Sequence, residues 1–285
     1  MFTASMFQSI KSALAKDETQ SNTSYREIMK LEPGKTYTVR LLPNVTTPEK
    51  SFFHYFEHGW TSFATGQYVR ALSLQTFGDR DPISEERFKT IRLGTDEDKK
   101  KAETVRRGEH WMVNAYVIED PTNPENNGQV KIIRYGKQLA KVIDQAINGE
   151  DADEFGAKIF DLSKNGCSLK IKVEKQGEFP SYVSSRFTSP TELALSESKI
   201  KEVYGKVHDL ERVLTAKSHD ELLDMWNEHF LCKSSLASTS APVQQAAQPT
   251  VRAIAEPATV SSPVLDDDDD ELDDETVAEL LKGLE

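Results

Sequence analysis

The segment HWMVNAYVIED (110–120), PTNPENNG (121–128) and QVKIIRYG (129–136) carries the strongest fold signal in this 285-residue chain. In its first stretch every second residue is apolar, and the residues that share this face of a strand are Trp111, Val113, Ala115 and Val117. The connecting loop contains two prolines and ends in Asn127-Gly128, a pair typical of hairpin turns. The segment therefore predicts two antiparallel strands joined by a long hairpin loop.

Further strands and helices surround this hairpin. Aromatic and β-branched residues predict strands in TYTVRLLP (36–43), SFFHYFEHGW (51–60), GQYVRALSL (66–74) and CSLKIKVEK (167–175). Helical spacing is present in KQLAKVIDQAI (137–147) and in two stretches within residues 191–232. Ser218, with Glu221 three residues later, predicts a capping box at the start of the last helix. The chain is therefore predicted to be α+β and mainly β.

The acidic charge of the chain is concentrated at its C-terminal end. Residues 241–285 contain twelve acidic and two basic residues, a net charge of −10, which leaves −2 of the total −12 for the other 240 residues. Apolar residues make up 37% of the chain, which is low for a sequence that folds throughout. The body is thus nearly neutral and rich in cations, and such an asymmetry often marks nucleic-acid-linked proteins.

The two ends of the chain are predicted to lie outside the folded core. Residues 1–24 are assigned to an N-terminal arm, and its candidate self-association residues are Phe7, Ile10, Lys11 and Leu14. An ordinary helix packed on its own domain would explain the same pattern. Residues 234–264 are rich in Ala, Ser, Gln, Pro and Val, which predicts a disordered linker. Residues 265–285 form an acidic tail, whose candidate partner-binding residues are Asp266, Asp270, Asp274, Leu280, Leu281 and Leu284.

Cations and aromatic rings are interleaved on several predicted elements between these ends. Single-stranded nucleic acid suits such a surface, because cations contact phosphates and rings stack on unpaired bases. The candidate DNA-binding residues are Arg70, Lys99, Lys100, Lys101, Arg106, Arg107, His110, Trp111, Arg134, Tyr135, Lys137, Lys172, Phe179 and Tyr182. The competing interpretation places the rings in the core and the lysines on a solvated face. The recurrence of these clusters on successive elements favours binding.

Two motifs raise the question of an enzyme. His54, Glu57 and His58 fit the HxxEH pattern of a zinc hydrolase, but that chemistry needs a helix, and the segment is predicted to be a strand. Residues 33–36 read PGKT without the upstream glycine of a phosphate-binding loop, so a turn is the better interpretation. No catalytic residues are predicted, and the zinc hydrolase is kept as an alternative.

The remaining sequence features point to a reduced, intracellular compartment. Cys167 and Cys232 fit no CxxC pattern. No apolar run approaches the roughly 18 residues of a membrane span, and the N-terminus lacks the features of a signal peptide.

The order of segments resembles a known family. HWMVNAYVIEDPTNPENNGQV, RYGKQ and LKIKVEKQGEFPSY follow one another between residues 110 and 187, and an acidic, leucine-ended tail follows a low-complexity linker. This order is similar to that of the single-stranded DNA-binding (helix-destabilising) proteins of T-even-type bacteriophages. The resemblance covers roughly residues 31–230 and is most specific in the central part.

The resemblance implies a fold and a biological role. It implies an OB-fold-like five-stranded barrel in a core at 25–233, with an inserted subdomain at about 58–109 and flanking helices. It also implies a DNA cleft lined by Arg106, Arg107, Trp111, Arg134, Tyr135, Lys137, Phe179 and Tyr182. The expected role is coating of unpaired DNA in phage replication, recombination and repair, in the cytoplasm of the infected bacterial host. The expected partners are single-stranded DNA, further copies of the chain along DNA and, through the tail, a polymerase, a helicase loader and a recombinase; no membrane partner is expected.

The chain departs from the family pattern in two places. Relatives with the metal subdomain hold zinc through one histidine and three cysteines, whereas this chain has His58 but Asp81-Pro82-Ile83-Ser84 in place of the cysteine turn. We therefore expect no zinc, with the subdomain packed instead through Phe77, Ile83, Phe88 and Ile91. The basic N-terminal motif that drives cooperative binding in the family is also missing here.

The acidic tail has three interpretations. As a polyanion on a flexible linker, it is expected to compete with DNA for the cationic groove and to recruit other proteins once DNA releases it. A purely solubilising tail is the simpler interpretation. A third interpretation makes the chain an acidic adaptor or chaperone for basic proteins.

Overall fold

The fold is described here from a computed structural model, which describes residues 27–177 and 179–233. The arm, linker and tail predicted at 1–24, 234–264 and 265–285 lie outside the described residues. In the described part of the chain, no helix is both long enough and apolar enough to cross a membrane.

Nine strands and five α-helices make up the described fold. The strands are β1 Thr36–Leu42, β2 Phe52–Thr61, β3 Tyr68–Leu72, β4 Arg106–Glu119, β5 Val130–Tyr135, β6 Leu169–Lys172, β7 Glu174–Gln176, β8 Phe179–Ser181 and β9 Arg186–Phe187. The helices are α1 Pro82–Leu93, α2 Asp96–Glu103, α3 Lys137–Asn148, α4 Glu197–Tyr204 and α5 His219–His229. The prediction of a mixed, mainly β fold is confirmed.

Strand β4 is the centre of the sheet, and its 14 residues pair with three other strands. Along one edge, β1 pairs with residues 114–119 and β2 with residues 106–113, so these two strands follow one another end to end. Along the other edge, β5 pairs with residues 111–116, which confirms the hairpin predicted from 110–136. All of these pairings are antiparallel.

The sheet is open in the described residues. Its hydrogen-bonded order is β3-β2-β4-β1-β6-β9, with β5 attached to β4 and a separate β7-β8 hairpin. The segment around Ile28 forms a short parallel bridge with Ile132 of β5. The five-stranded barrel implied by the resemblance is therefore not confirmed, because the described ladder ends at β3 and β9 and does not return to its start.

The two faces of this sheet are packed differently. We call the face that carries Val113, Ala115 and Val117 the inner face, and the opposite one the outer face. The inner face supports a main core, in which strands β1, β4, β5 and β6 pack against α3 and the 3-10 turn Gly156–Phe160. The outer face is covered by residues 210–214 near β5 and by α4 near β1.

The inserted subdomain has its own core at the far end of the inner face. Trp60, Ile83 and Val105 are buried there together with residues of α5. The rings of Trp226 and Phe230 stack at a centroid distance of 3.9 Å, and Trp60 lies 6.4 Å from Trp226. A helix more than a hundred residues away in sequence therefore closes this core.

The expected packing of the subdomain is only partly correct. Ile83 is fully buried and Ile91 packs against the same core, as predicted. Phe88 is half-buried, with the Arg87 guanidinium 5.6 Å from its ring centroid. The prediction is wrong for Phe77, which is 51% exposed. The 3-10 turn Leu74–Phe77 projects this ring outward, and α5 supplies the missing apolar surface.

A buried polar cluster joins β2 to α1. Asp81 caps α1 by accepting the Ser84 amide at 2.8 Å, and its carboxylate lies 2.9 Å from His58 Nε2. Ser73 Oγ donates to the second Asp81 oxygen at 2.7 Å. Burial alone would raise the pKa of Asp81, but these hydrogen bonds and the nearby His58 outweigh it and hold the pKa well below its usual range.

We predict that the Trp226 ring supports the subdomain. Trp226→Ala should lower the free energy of unfolding by about 3–5 kcal/mol, because it removes a buried ring from the centre of a small core. Phe77→Ala is the matched control from the same subdomain and should change the free energy by less than about 0.5 kcal/mol, since its ring is exposed. Urea unfolding would measure both, and equal losses would contradict the assignment of the core.

Candidate nucleic-acid interface

A strip of the inner face remains uncovered between the two cores. On β2 and β4, Phe52 and Val113 belong to the main core, and Trp60 belongs to the subdomain core. Between these limits the same face carries the buried His58 and five more accessible side chains, which are His54, Phe56, Arg107, Glu109 and Trp111. We call these five residues the strip. It exists because β2 and β4 extend continuously from one core into the other.

Three rings form a row across one end of the strip. His54, Trp111 and Tyr135 occupy directly opposed positions on β2, β4 and β5. The His54 and Trp111 rings are 4.8 Å apart at an interplanar angle of 22°, and the Trp111 and Tyr135 rings are 6.2 Å apart at 15°. We call these three residues the ring row. Rings arranged in this way can stack with a further ring on whichever ring face remains open.

The ring row is buried at one end and accessible at the other. Tyr135 is 5% exposed, and burial raises the pKa of its hydroxyl above the usual range. Trp111 is half-buried and packs against the main core. The His54 side chain is 44% exposed. Tyr135 therefore anchors the row, and His54 and Trp111 supply its accessible surface.

Charged groups lie along the strip beside the rings. Glu109 Oε1 lies 2.7 Å from His54 Nε2, and its other oxygen is 3.8 Å from Lys137 Nζ. The Arg107 guanidinium lies 4.8 Å from the centroid of the Phe56 ring and also donates to the Gln75 side chain. Two cations and one carboxylate thus surround the aromatic surface. The cations can attract phosphate groups to it, and Glu109 fixes the imidazole of His54.

A second cationic group lies on the outer face. Arg134 Nη2 donates to Glu57 at 2.7 Å, and Arg70 Nη1 is 3.8 Å from the same oxygen. Arg106 faces the same way, because it is opposite Gly59 of β2 and alternates with Arg107. The glycine allows the ring of Tyr68 to lie close against the strand, since a Cβ at this position would be 2.2 Å from the Tyr68 hydroxyl.

His110 lies under this arginine group. It is 8% exposed, and burial, aided by the charges of Arg134 and Arg70, lowers its pKa to about 3. The imidazole is therefore neutral at physiological pH and cannot act as a phosphate-binding cation there. The sequence pattern predicts that His110 contacts DNA. We interpret its side chain instead as one that packs beneath the arginines.

The structure distributes the other predicted contacts over two further regions. Lys99, Lys100 and Lys101 are on α2, where Lys101 pairs with Glu97 at 2.9 Å and lies 5.9 Å from the ring centroid of Phe63. Phe63 contacts Phe230, so this region borders α5. The last three predicted residues, Lys172, Phe179 and Tyr182, are on or beside the β6 strand and the β7-β8 hairpin. The Tyr182 amide donates to the Gln138 side chain at 2.8 Å, next to Lys137.

The structure therefore places the residues of the expected DNA cleft on two opposite faces of the sheet. The inner face brings together Arg107, Trp111, Tyr135 and Lys137. The outer face brings together Arg70, Arg106, His110 and Arg134. The sequence interpretation missed His54, Phe56, Glu57, Tyr68 and Glu109 as members of these groups. The alternation in SFFHYFEHGW could have identified the first three, because it separates the two faces of β2.

The HxxEH residues do not converge on a common site. His54 lies on the strip, Glu57 faces the opposite side with the arginines, and His58 is buried against Asp81. A zinc hydrolase needs both imidazoles and an adjacent carboxylate around one open coordination position. This arrangement gives no support to the hydrolase alternative.

The polar cluster around His58 is also a poor fit to structural zinc. Its other members are one carboxylate and two serine hydroxyls, while structural zinc sites are tetrahedral and rich in thiolates. The Asp81 oxygens already accept hydrogen bonds from Ser73, Ser84 and the Leu74 amide. Among the described residues, no group of three or more histidine, cysteine or acidic residues has a geometry that could bind a metal ion.

Comparison with known proteins finds a DNA-binding family and two single-stranded DNA-binding proteins that are similar to the chain. The sequence model of a family described as "gp32 DNA binding protein like" matches residues 34–230. The single-stranded DNA-binding proteins of Enterobacteria phage T4 and Enterobacteria phage T2 are each 27% identical to the chain over 193 residues. These alignments cover 65% of the chain and 62% of each relative, so they span less than two thirds of the relatives' length.

We predict that His110 makes folding sensitive to moderately acidic pH. Because its pKa is about 3 in the folded state and near 6.5 when unfolded, the unfolded chain takes up the proton first. The contribution of the neutral imidazole is complete above about pH 6.5 and declines as the pH falls toward 3. The free energy of unfolding should fall by about 3 kcal/mol from this group between pH 7 and pH 4.

Urea unfolding of His110→Gln across this pH range would test the assignment. The variant should lose less stability on acidification than the unmodified chain, because glutamine does not titrate. His219→Gln, at an exposed position on α5, is the control and should leave the pH dependence unchanged. Parallel pH profiles for the unmodified chain and His110→Gln would contradict the burial of a neutral imidazole.

Proposed function

The chain belongs to the gp32-like family of DNA-binding proteins, and we propose that it is a non-enzymatic protein that coats single-stranded DNA. The observation that carries this proposal is the ring row on the uncovered strip of the inner face. Unpaired bases expose their faces, whereas the bases of a duplex are stacked on each other. A flat aromatic surface therefore selects unpaired strands and tolerates any base.

The charges around the ring row support binding of the backbone of such a strand. Arg107 and Lys137 lie beside the rings, at positions from which they can contact phosphates on either side of a stacked base. The outer-face group of Arg70, Arg106 and Arg134 adds positive potential close to the same strands. Binding is expected to be largely independent of sequence and to weaken with salt, because counterions are released from the phosphates.

The similarity of the chain to single-stranded DNA-binding proteins of phages and its charge distribution support a proposal for the wider role. We propose that it protects unpaired DNA during replication, recombination and repair of a phage genome, in the cytoplasm of the infected host. The acidic tail at 265–285 would recruit replication and recombination proteins, and the arm at 1–24 would contact neighbouring copies along the DNA. In this proposal the subdomain is held in place without zinc, because hydrogen bonds of Asp81 connect β2 to α1.

Trp111 provides the most direct test of the ring row. Trp111→Ala should weaken binding to oligo(dT) by about 1–3 kcal/mol, because one stacked base loses its platform. Trp111→Phe should retain most of the affinity, since it keeps both a ring and the contact with the main core. Fluorescence anisotropy with oligo(dT) and with a duplex of the same length would measure the affinity and the selectivity.

Urea unfolding of the same two variants separates binding from folding. If Trp111→Ala were less stable but bound oligo(dT) as tightly as the unmodified chain, Trp111 would be a core residue only. If the unmodified chain preferred the duplex, the proposed function itself would be wrong.

Removal of the tail should tighten DNA binding. A chain that ends at Ser240 loses a net charge of −10, so DNA would no longer compete with an attached polyanion. The gain should be largest at low salt, where interactions between exposed charges are least screened. Titration with oligo(dT) at several salt concentrations would measure it.

The matched control keeps the full length of the chain and removes only negative charge from the tail. Replacing the acidic residues of 266–275 by asparagine and glutamine should reproduce most of the gain in affinity. Unchanged affinity in both variants would refute competition between the tail and DNA.

A further inference from the structure

A cleft of about 540 Å³ lies at the end of the sheet formed by β1 and β6. The PGKT turn that opens β1 forms one wall, and the β7-β8 hairpin forms another. The side chains that matter for its chemistry are Lys35, Thr36, Lys172, Glu174, Lys175, Ser181 and Val183. The turn is permitted by Gly34, whose φ of +81° lies in the left-handed region. The GKT sequence thus contributes to a cleft, although it lacks the upstream glycine of a nucleotide-binding loop.

The charge balance of the cleft favours an anion. Lys172 Nζ pairs with Glu174 Oε1 at 2.5 Å, and the other Glu174 oxygen accepts from Ser184 at 2.6 Å. These interactions, first with Lys172 and then with Ser184, lower the pKa of Glu174 and keep it ionised. Lys35 and Lys175 form no ion pair with any residue that the structure describes, and both are exposed. Two cations of the wall are therefore available to a ligand.

A buried hydroxyl independently indicates a ligand. Ser181 is 3% exposed, and its Oγ has no hydrogen-bond partner among the described residues. An unsatisfied buried hydroxyl costs about 1–3 kcal/mol, so proteins seldom retain one without a use. Its residue lines the cleft that the two lysines border. A hydroxyl donor and two ammonium groups form a suitable set for phosphate oxygens.

The cleft is connected to the ring row through a short chain of contacts. Ser181 is followed directly by Tyr182, whose amide is bonded to Gln138. Gln138 adjoins Lys137, which is 3.8 Å from Glu109 of the strip. The residue that follows the β7-β8 hairpin therefore connects one wall of the cleft to the helix that carries Lys137.

We propose that this cleft binds a phosphate of the single-stranded DNA backbone beyond the bases held at the ring row. The inference rests on the proposed function and lengthens its site by the residues Lys35, Thr36, Lys175 and Ser181. Lys35 and Lys175 pair with the phosphate oxygens, Ser181 donates its hydroxyl, and the exposed Val183 at the lip contacts the sugar. The site is selective for the phosphodiester backbone and indifferent to the bases.

The test compares a short and a long oligo(dT) on the full-length chain, with about four and about twelve nucleotides. The double variant Lys35→Ala/Lys175→Ala should bind the long strand about tenfold more weakly at low salt and the short strand unchanged. Its plot of log affinity against log salt should be shallower by about 0.7 for the long strand, because the contact with one phosphate is lost. The control is Lys164→Ala/Lys217→Ala, which removes the same charge at exposed positions outside the cleft.

Ser181→Ala distinguishes a specific phosphate site from a surface that attracts DNA by charge alone. The variant should be as stable as the unmodified chain or more stable, because it removes an unsatisfied buried hydroxyl. It should nevertheless bind the long strand several-fold more weakly. Unchanged affinity of Ser181→Ala for the long strand would overturn the proposal.

Two further outcomes would also overturn it. An equal loss in the Lys164→Ala/Lys217→Ala control would show that only total charge matters. A gain in affinity on Lys35→Ala/Lys175→Ala would show that the cleft holds the acidic segment of the chain itself. Failure of the short strand to bind the unmodified chain would instead contradict the ring row, so the two proposals fail in distinguishable ways.

Discussion

The continuity of β4 across two separate cores is the constraint on which the site depends. Its 14 residues pair with β1 and β5 at one end and with β2 at the other, so one strand belongs to both the main core and the subdomain core. A strand repeats its side-chain direction every second residue. Residues between the two cores therefore point to the same side as the buried ones but, apart from His58, are only partly buried. The strip is a geometric consequence of inserting a subdomain beyond the edge of the main core.

Carboxylates on both faces of the sheet hold this site in place. Glu109 contacts His54 and Lys137 on the inner face, while Glu57 contacts Arg134 and Arg70 on the outer face. With Arg107 on the inner face and Arg106 on the outer face, the Lys and Arg side chains outnumber the carboxylates in both groups, so each face keeps a net positive potential while its side chains are restrained. Such pairing reduces the entropy lost when a long side chain meets a phosphate. A nearly neutral body can thus present cationic surfaces, because position matters more than the total charge.

The sequence predicted the parts of the fold that depend on local pattern. The alternation in 110–120 and the turn signal at Asn127-Gly128 were sufficient for the central hairpin, and the spacing of Trp111 and Tyr135 placed both rings on it. Contacts between distant segments were not predictable in this way. Nothing near Trp60 indicates that Trp226 packs against it, and Phe77 is as apolar as the rings that are buried. The candidate cations were identified by type, but only the register shows that Arg106 and Arg107 point to opposite faces.

The cluster around His58 shows how the subdomain can be attached without thiolate chemistry. A buried carboxylate is unfavourable unless hydrogen bonds compensate for its lost hydration. Asp81 accepts them from a helix N-terminus, from Ser73 and from a strand imidazole, so its compensation is complete only when α1, β2 and the segment at 73–74 are all in place. Asp81 thereby couples the position of α1 to that of β2. Since β2 also carries His54 and Phe56, the same cluster connects the position of α1 to the strand on which the strip lies.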